Sequence, residues 1–305
     1  MTTTGLPAPV EGTPVENVPS APAGPRVPAP LLVLGGVVSV QLGAALAKQL
    51  FPRIGPEGTV MLRLVAGALL LWIAVRPTRR VLAGLDLRLT LAFGAVLATM
   101  NLSFYLAIAR IPLGVAVALE FLGPLAVALA GARRVRELGA AALAAVAVLL
   151  LTGGTGLTGG GRLDVGGIGF ALAAGVLWAG YILLSRRVGA ATPGLAGLAG
   201  AATVAGVLLL PVGIATAGAR LADPVPLALG AAVGLLSAAV PYGLELVALR
   251  TLSAAAFAVL MSLEPAVGAL DGFAVLRERL TLAEIAGVLL VCVASVAATR
   301  SRAAV

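Results

Sequence analysis

Charged residues, aromatic residues, cysteine and histidine are all scarce in this chain of 305 residues. Only 11% of its residues are charged and 4% are aromatic, whereas a soluble domain carries about 25% charged residues. So few charges cannot cover a water-facing surface, which excludes an ordinary soluble protein. A single cysteine, Cys292, and no histidine exclude a disulfide framework, a zinc site and a Ser/His pair. We therefore predict no enzyme, no catalytic residue, no cofactor and no metal site.

Apolar residues are what the chain has in excess. They make up 60% of the residues, and the mean hydropathy is +1.08. They come in runs close to the roughly 20 residues that an α-helix needs to cross a bilayer. The runs predict ten transmembrane helices at Leu31–Leu50, Thr59–Val75, Leu89–Ala109, Leu113–Ala130, Leu138–Leu151, Ile168–Leu184, Leu195–Ile214, Leu227–Ala248, Leu252–Val275 and Leu280–Ala298.

The ten predicted helices divide into two sets of five. A Pro-rich tail at 1–28, predicted to be disordered, precedes the first set (31–152), and a Gly-rich linker at 153–165 separates it from the second (166–300). A shift of 141 residues brings Pro124 opposite Pro265 and Glu137 opposite Glu278. Since each unit has an odd number of helices, the two units must have opposite topology. The predicted fold is all-α, a polytopic membrane protein of two inverted five-helix repeats, with the substrate site between them.

The basic residues predict the orientation. With the amino terminus in the cytoplasm, thirteen arginines fall in cytoplasmic segments and seven basic residues on the other side. Both termini are therefore predicted to be cytoplasmic. The net charge of +8 is interpreted as this topology signal and not as a nucleic-acid site.

Carboxylates inside the predicted helices are the first candidates for function. A charged side chain at the bilayer centre costs at least about 2.5–3.5 kcal/mol, so it usually faces a cavity. Four residues qualify: Glu120, Glu245, Glu264 and Asp271. Pro124 and Pro265 open the backbone near Glu120 and Glu264, because proline cannot donate to the carbonyl four residues back. Hydrogen-bonded neutral carboxyls and simple packing kinks are the alternatives.

Polar and aromatic residues at helical spacing are the second group of candidates. They are Gln41, Lys48, Asn101, Tyr105, Trp178, Tyr181 and, near Glu245, Tyr242. An amide, indole, phenol and carboxylate lining would suit a small zwitterion. The alternatives are an interfacial aromatic belt and a Lys48 that reaches the headgroups. Arg63, within the second predicted helix, is interpreted mainly as a residue that reaches the membrane surface.

Four segments carry a family resemblance: SVQLGAALAKQLFPRIGPEGTVMLRL from Ser39, MNLSFYLAIARIPLGVAVALEFLGPLAVAL from Met100, AAVPYGLELVAL from Ala238 and LMSLEP from Leu260. Over residues 31–300 the chain resembles the threonine/homoserine exporters, EamA-type members of the drug/metabolite transporter superfamily. Two positions depart from that pattern, Asp271, where a small residue is usual, and Arg277, where glycine is usual.

The resemblance implies a ten-helix carrier of the bacterial cytoplasmic membrane that exports small amino acids in exchange for protons. We expect an amino acid, protons and membrane lipids as its partners, and no nucleic acid; a homodimer is left open. The matching positions form the candidate pathway: Gln41, Lys48, Asn101, Tyr105, Glu120, Trp178, Tyr181, Tyr242, Glu245 and Glu264, with Pro124 and Pro265 as backbone breaks. The alternatives are an exporter of another metabolite or a drug, an intramembrane enzyme, and a non-transporting receptor.

Overall fold

The computed structural model describes residues 27–78, 81, 83–130, 135–152, 163–192 and 195–303, and every regular element in these ranges is a helix. The helices are α1 (Ala29–Val75), α2 (Leu87–Ile108), α3 (Leu113–Glu120), α4 (Leu122–Leu129), α5 (Val135–Leu151), α6 (Val165–Ala191), α7 (Ala196–Ala217), α8 (Pro224–Gly234), α9 (Val240–Ala248), α10 (Ala254–Met261), α11 (Glu264–Leu276) and α12 (Leu282–Ala303), with a 3-10 turn at Gly218–Ala222 and a π turn at Leu235–Ala239. The predicted all-α class is confirmed. Most of the predicted tail and linker lies outside the described residues.

Seven stretches among the described residues are long and apolar enough to cross a membrane. They are Ala29–Val75, Leu87–Ile108, Val165–Ala191, Ala196–Ala222, Pro224–Ala248, Ala254–Leu276 and Leu282–Arg300, and shorter apolar stretches lie at Leu113–Leu129 and Glu137–Leu151. Large apolar side chains such as Val176 and Phe273 point outward, at 73% and 63% exposure. An apolar exterior of this kind suits contact with lipid.

The first and longest helix, α1, is bent back on itself at Gly55. This glycine has φ 73° and ψ 165°, a conformation that is essentially restricted to glycine. The Ser39 hydroxyl donates to a carbonyl of the π turn 235–239 at 2.7 Å, and a Cβ added at Gly67 would lie 3.4 Å from a side chain of the same turn. In a straight helix Ser39 and Gly67 would be about 42 Å apart. The chain therefore reverses, and α1 consists of a first leg (29–54) and a second leg (56–75).

Two of the predicted spans are broken in the middle. The predicted span Leu113–Ala130 is divided at Phe121, and Leu252–Val275 is divided at residues 262 and 263. The cause is local, because Pro124 and Pro265 each lack the N–H that would continue the helical hydrogen bonding. The shift of 141 residues takes position 121 to position 262, so the two breaks are equivalent. The eighth predicted span is also irregular, since the π turn interrupts it before Pro241.

The short helix α3 lies at the centre of the bundle. All eight of its residues are buried, and it packs against α6 and α11. Glycine makes the close approach to α6 possible, because an added Cβ at Gly175 would lie 2.7 Å from the carbonyl oxygen of Glu120. Such small residues are typical where helices touch inside a membrane. The packing of α3 thus holds Glu120, its last residue, in the middle of the protein.

Candidate functional site

A polar cavity of about 180 Å³ lies at the centre of the bundle. Both legs of α1 contribute to its wall, together with α2, α3, α6, the π turn, α9 and α11. Eight of the twelve residues predicted for the pathway line it: Gln41, Asn101, Tyr105, Glu120, Trp178, Tyr181, Tyr242 and Glu264. Residues from six predicted helices, three in the first set and three in the second, therefore converge on one space.

The two carboxylates of the cavity come from the two broken helices. Glu120 is the last residue of α3 and Glu264 is the first residue of α11. They are 9% and 5% exposed, and they are close enough to interact electrostatically. Within the described part of the chain, neither carboxylate belongs to an ion pair. Two acidic groups thus line the cavity without an ion pair to any described cation, and Arg63 interacts with Glu120 only at longer range.

Two uncharged polar groups of the cavity also have no partner among the described residues. The buried Oε1 of Gln41 and the buried hydroxyl of Tyr105 make no hydrogen bond to any described residue. Buried polar atoms are normally satisfied, so these two atoms are free to bind water or a ligand. The Asn101 amide instead donates to the carbonyl of Leu97 at 2.8 Å, which holds its side chain in place.

The aromatic side chains of the cavity are fixed by other rings. Trp178 meets Phe121 edge-on, with ring centroids 5.5 Å apart, and Tyr181 stacks on Phe93 at 4.9 Å. These contacts hold the indole and the phenol in the wall of the cavity. Both residues line the central cavity, which disfavours the alternative of an interfacial belt for them.

Four of the predicted pathway residues do not line the cavity. Lys48 lies outside the cavity lining, where its ammonium pairs with Glu278 at 2.6 Å and donates to the carbonyl of Ile111 at 3.0 Å. Glu245 lies on α9 beside Gly36, and Pro124 lines a separate cavity of about 240 Å³. The fourth, Pro265, is buried and directly follows Glu264 in the first turn of α11.

Arg63 is the cavity residue that the sequence interpretation assigned elsewhere. It lies in the second leg of α1 and lines the cavity. Its guanidinium carbon is 5.7 Å from the centroid of the Tyr105 ring. The sequence interpretation had placed it mainly at the membrane surface, whereas the structure places it at the central cavity. Its position in the sequence could have identified it as a site residue. Arg63 is a basic residue inside a predicted span, where ionisable groups are usually functional.

The sequence matches known proteins over most of its length. The profile of the EamA-like transporter family matches residues 165–300. The threonine/homoserine exporter RhtA of Salmonella typhimurium (strain SL1344) is 42% identical over 271 residues, which cover 88% of this chain and 90% of the relative. RhtA of Escherichia coli (strain K12) is 42% identical over 253 residues, covering 82% and 84%. The chain belongs to the EamA-like transporter family.

As a member of the EamA-like transporter family, the chain is a multi-pass inner-membrane transporter and not an enzyme. A protein of known crystal structure has the same fold, with a TM-score of 0.61 and 19% identity, covering 89% of this chain and 97% of that one. At this identity the likeness concerns the fold alone. The family resemblance noted in the sequence is confirmed.

The two ends of this EamA-like transporter differ around the cavity. At the end that contains Gly55, Glu278 pairs with Lys48 and also accepts from the Leu113 N–H at 2.7 Å. This ion pair joins the first leg of α1, the start of α3 and the segment after α11. At the other end lies a mostly apolar cavity of about 620 Å³, which shares Tyr242 with the central one. Tyr242 therefore lies between the central cavity and this wider space.

Proposed function

We propose that this protein is a secondary active exporter of small amino acids, such as threonine and homoserine, driven by exchange for protons. The central observation is that Glu120 and Glu264 both line one central cavity. The two RhtA relatives, which carry the name threonine/homoserine exporter, support the substrate class.

The size of the cavity favours a small metabolite over a drug. Its volume of about 180 Å³ is the share of roughly six water molecules in the liquid. Pockets for drug-sized ligands are larger, about 300–1,000 Å³. An amino acid with a short polar side chain suits this space, and the Gln41 and Tyr105 groups without partners offer it hydrogen bonds.

The proposal includes ten membrane crossings in two inverted repeats, 31–152 and 166–300, with both termini in the cytoplasm. The two legs of α1 supply two crossings, and the six other candidate spans and the two shorter apolar stretches supply eight. The equivalent breaks at 121 and 262 support a repeat. The arginine distribution supports the orientation. The transporter would work by rocking of one repeat against the other.

Glu120 and Glu264 are proposed to carry the coupling protons. An ionised carboxylate attracts the ammonium group of the substrate, and a protonated one does not. In this mechanism protons enter from outside when the cavity faces outward, and they are released inward as the substrate binds. Protons and an amino acid then compete for the same carboxylates, which couples their opposite fluxes.

Transport in proteoliposomes tests the proton role. We expect Glu120→Gln and Glu264→Gln to lose threonine flux driven by a pH gradient, because neither amide can carry a proton. Threonine counterflow, which needs no gradient, should be less affected. Glu57→Gln changes a carboxylate beside the Gly55 bend and outside the cavity, and it should behave like the wild type. Wild-type gradient-driven rates in both cavity variants would reject the proposal.

A further inference from the structure

Arg63 is a cation within a candidate membrane span, and among the described residues it forms no ion pair, although it is near enough to Glu120 to interact electrostatically. The ion pairs found among the described residues are Lys48 with Glu278 and Arg110 with Asp164. The Arg63 side chain makes no hydrogen bond to any of these four residues. Arg63 lies eight residues after Gly55, which is about 12 Å along a helix axis. A guanidinium at that depth is costly unless it has a function.

The side chain is held where it can receive a ligand. Its guanidinium lies over the Tyr105 ring at 5.7 Å, a distance at which the ring face attracts a cation. It lines the central cavity together with Glu120 and Glu264. Its five N–H donors therefore border a space that already contains two acidic groups.

We propose that Arg63 binds the carboxylate of the transported amino acid and so selects substrates that carry this group. The proposal rests on the amino-acid export proposed above. An amino acid has one cationic and one anionic end, and the cavity offers acidic groups for the first and Arg63 for the second. Guanidinium matches a carboxylate with two parallel hydrogen bonds. A substrate bound in this way would pair with Arg63, the only cation among the described cavity residues.

L-Threoninol is the probe that isolates the carboxylate. It keeps the ammonium and the side-chain hydroxyl of threonine and replaces the carboxylate with an alcohol. We would measure counterflow of labelled threonine in proteoliposomes, with unlabelled threonine or L-threoninol as competitor. In the wild type, threonine should compete roughly 10- to 100-fold better than L-threoninol, as expected for a charge-assisted hydrogen-bonding pair.

Arg63→Gln should remove this preference. Its half-saturation concentration for threonine should rise roughly 10- to 100-fold, and the ratio between the two competitors should fall toward unity. Arg63→Lys keeps the positive charge but cannot form two parallel hydrogen bonds to a carboxylate, so it should give an intermediate ratio. Arg53→Gln is the matched control, since Arg53 is an exposed arginine of the same helix outside the cavity, and it should keep the wild-type ratio.

A second readout does not require transport. Threonine should raise the melting temperature of the purified wild type more than L-threoninol does, because a ligand stabilises the state it binds. Arg63→Gln should lose this difference. A wild-type preference for threonine in Arg63→Gln, in either assay, would overturn the assignment while leaving the export function standing. Absence of threonine counterflow in the wild type would instead reject the export function, and the role of Arg63 with it.

Discussion

Gly175 packs against the break between α3 and α4, and replacing it with alanine tests whether this contact holds the site together. The added Cβ would lie 2.7 Å from the Glu120 carbonyl oxygen, where ordinary contacts begin at 3.4 Å. The obstacle is backbone, and a Cβ on Gly123 would in turn overlap the carbonyl oxygen of Gly175. Helix α6 would therefore have to move away from α3 and α4 by about 0.7 Å, the difference between those two distances.

The free energy of unfolding should fall as a result. Overpacking of this kind destabilises the folded state by about 1–3 kcal/mol. Alanine in place of a helical glycine stabilises it by about 0.5–1 kcal/mol. Gly180→Ala is on the same helix with nothing within 4 Å of the added Cβ. It should therefore show only the stabilisation that alanine gives over glycine in a helix. The two variants should therefore differ by about 1–3 kcal/mol.

Thermal unfolding of the two variants in detergent measures this difference. At roughly 2–4 °C per kcal/mol, Gly175→Ala should melt several degrees below Gly180→Ala. Its threonine efflux should also fall, because Glu120 and Trp178 lie on the two helices that are pushed apart. If Gly175→Ala melts at or above Gly180→Ala, the close contact does not hold the helices as described.

Two further sets of variants test the bend in α1 and the ion pair at the same end of the bundle. Gly55→Ala should cost about 1–3 kcal/mol, because φ 73° and ψ 165° strain any residue with a Cβ, whereas Gly139→Ala, with open space around it, should be neutral or stabilising in the same melting assay. Lys48→Met and Glu278→Gln should each lower the melting temperature, and their double-mutant cycle should give a coupling of about 0.5–3 kcal/mol. Zero coupling would contradict the 2.6 Å ion pair.

Most of the candidate site was predictable because its signals are local. A carboxylate or an amide inside a long apolar run is costly wherever the helix packs, so Glu120, Glu264 and Gln41 could be selected without a structure. Proline breaks a helix by removing its own N–H. The positions of Pro124 and Pro265 therefore predicted opened backbone, and the structure has a break near each of them.

Two of the basic residues of α1 lie where the sequence interpretation did not mainly place them, since Lys48 is outside the central cavity and Arg63 lines it. Lys48 and Arg63 are both basic residues close to the Gly55 bend, and their sequence surroundings do not distinguish a cavity from a protein surface. Lys48 meets Glu278, which is 230 positions away, and Arg63 lies over Tyr105. These partners depend on how α1 folds back at Gly55 and packs against the second set of helices.

The amino-acid sequence alone determined that the chain is an integral membrane protein, because hydropathy and the cost of burying charge depend on composition and spacing. It also indicated where proline breaks the helices and which acidic residues are candidates for the functional site. The tertiary structure alone decided which polar groups share one cavity and that Arg63 is the cation that lines it. That choice depends on the direction of each side chain, and direction is set by contacts between helices that are far apart in the sequence.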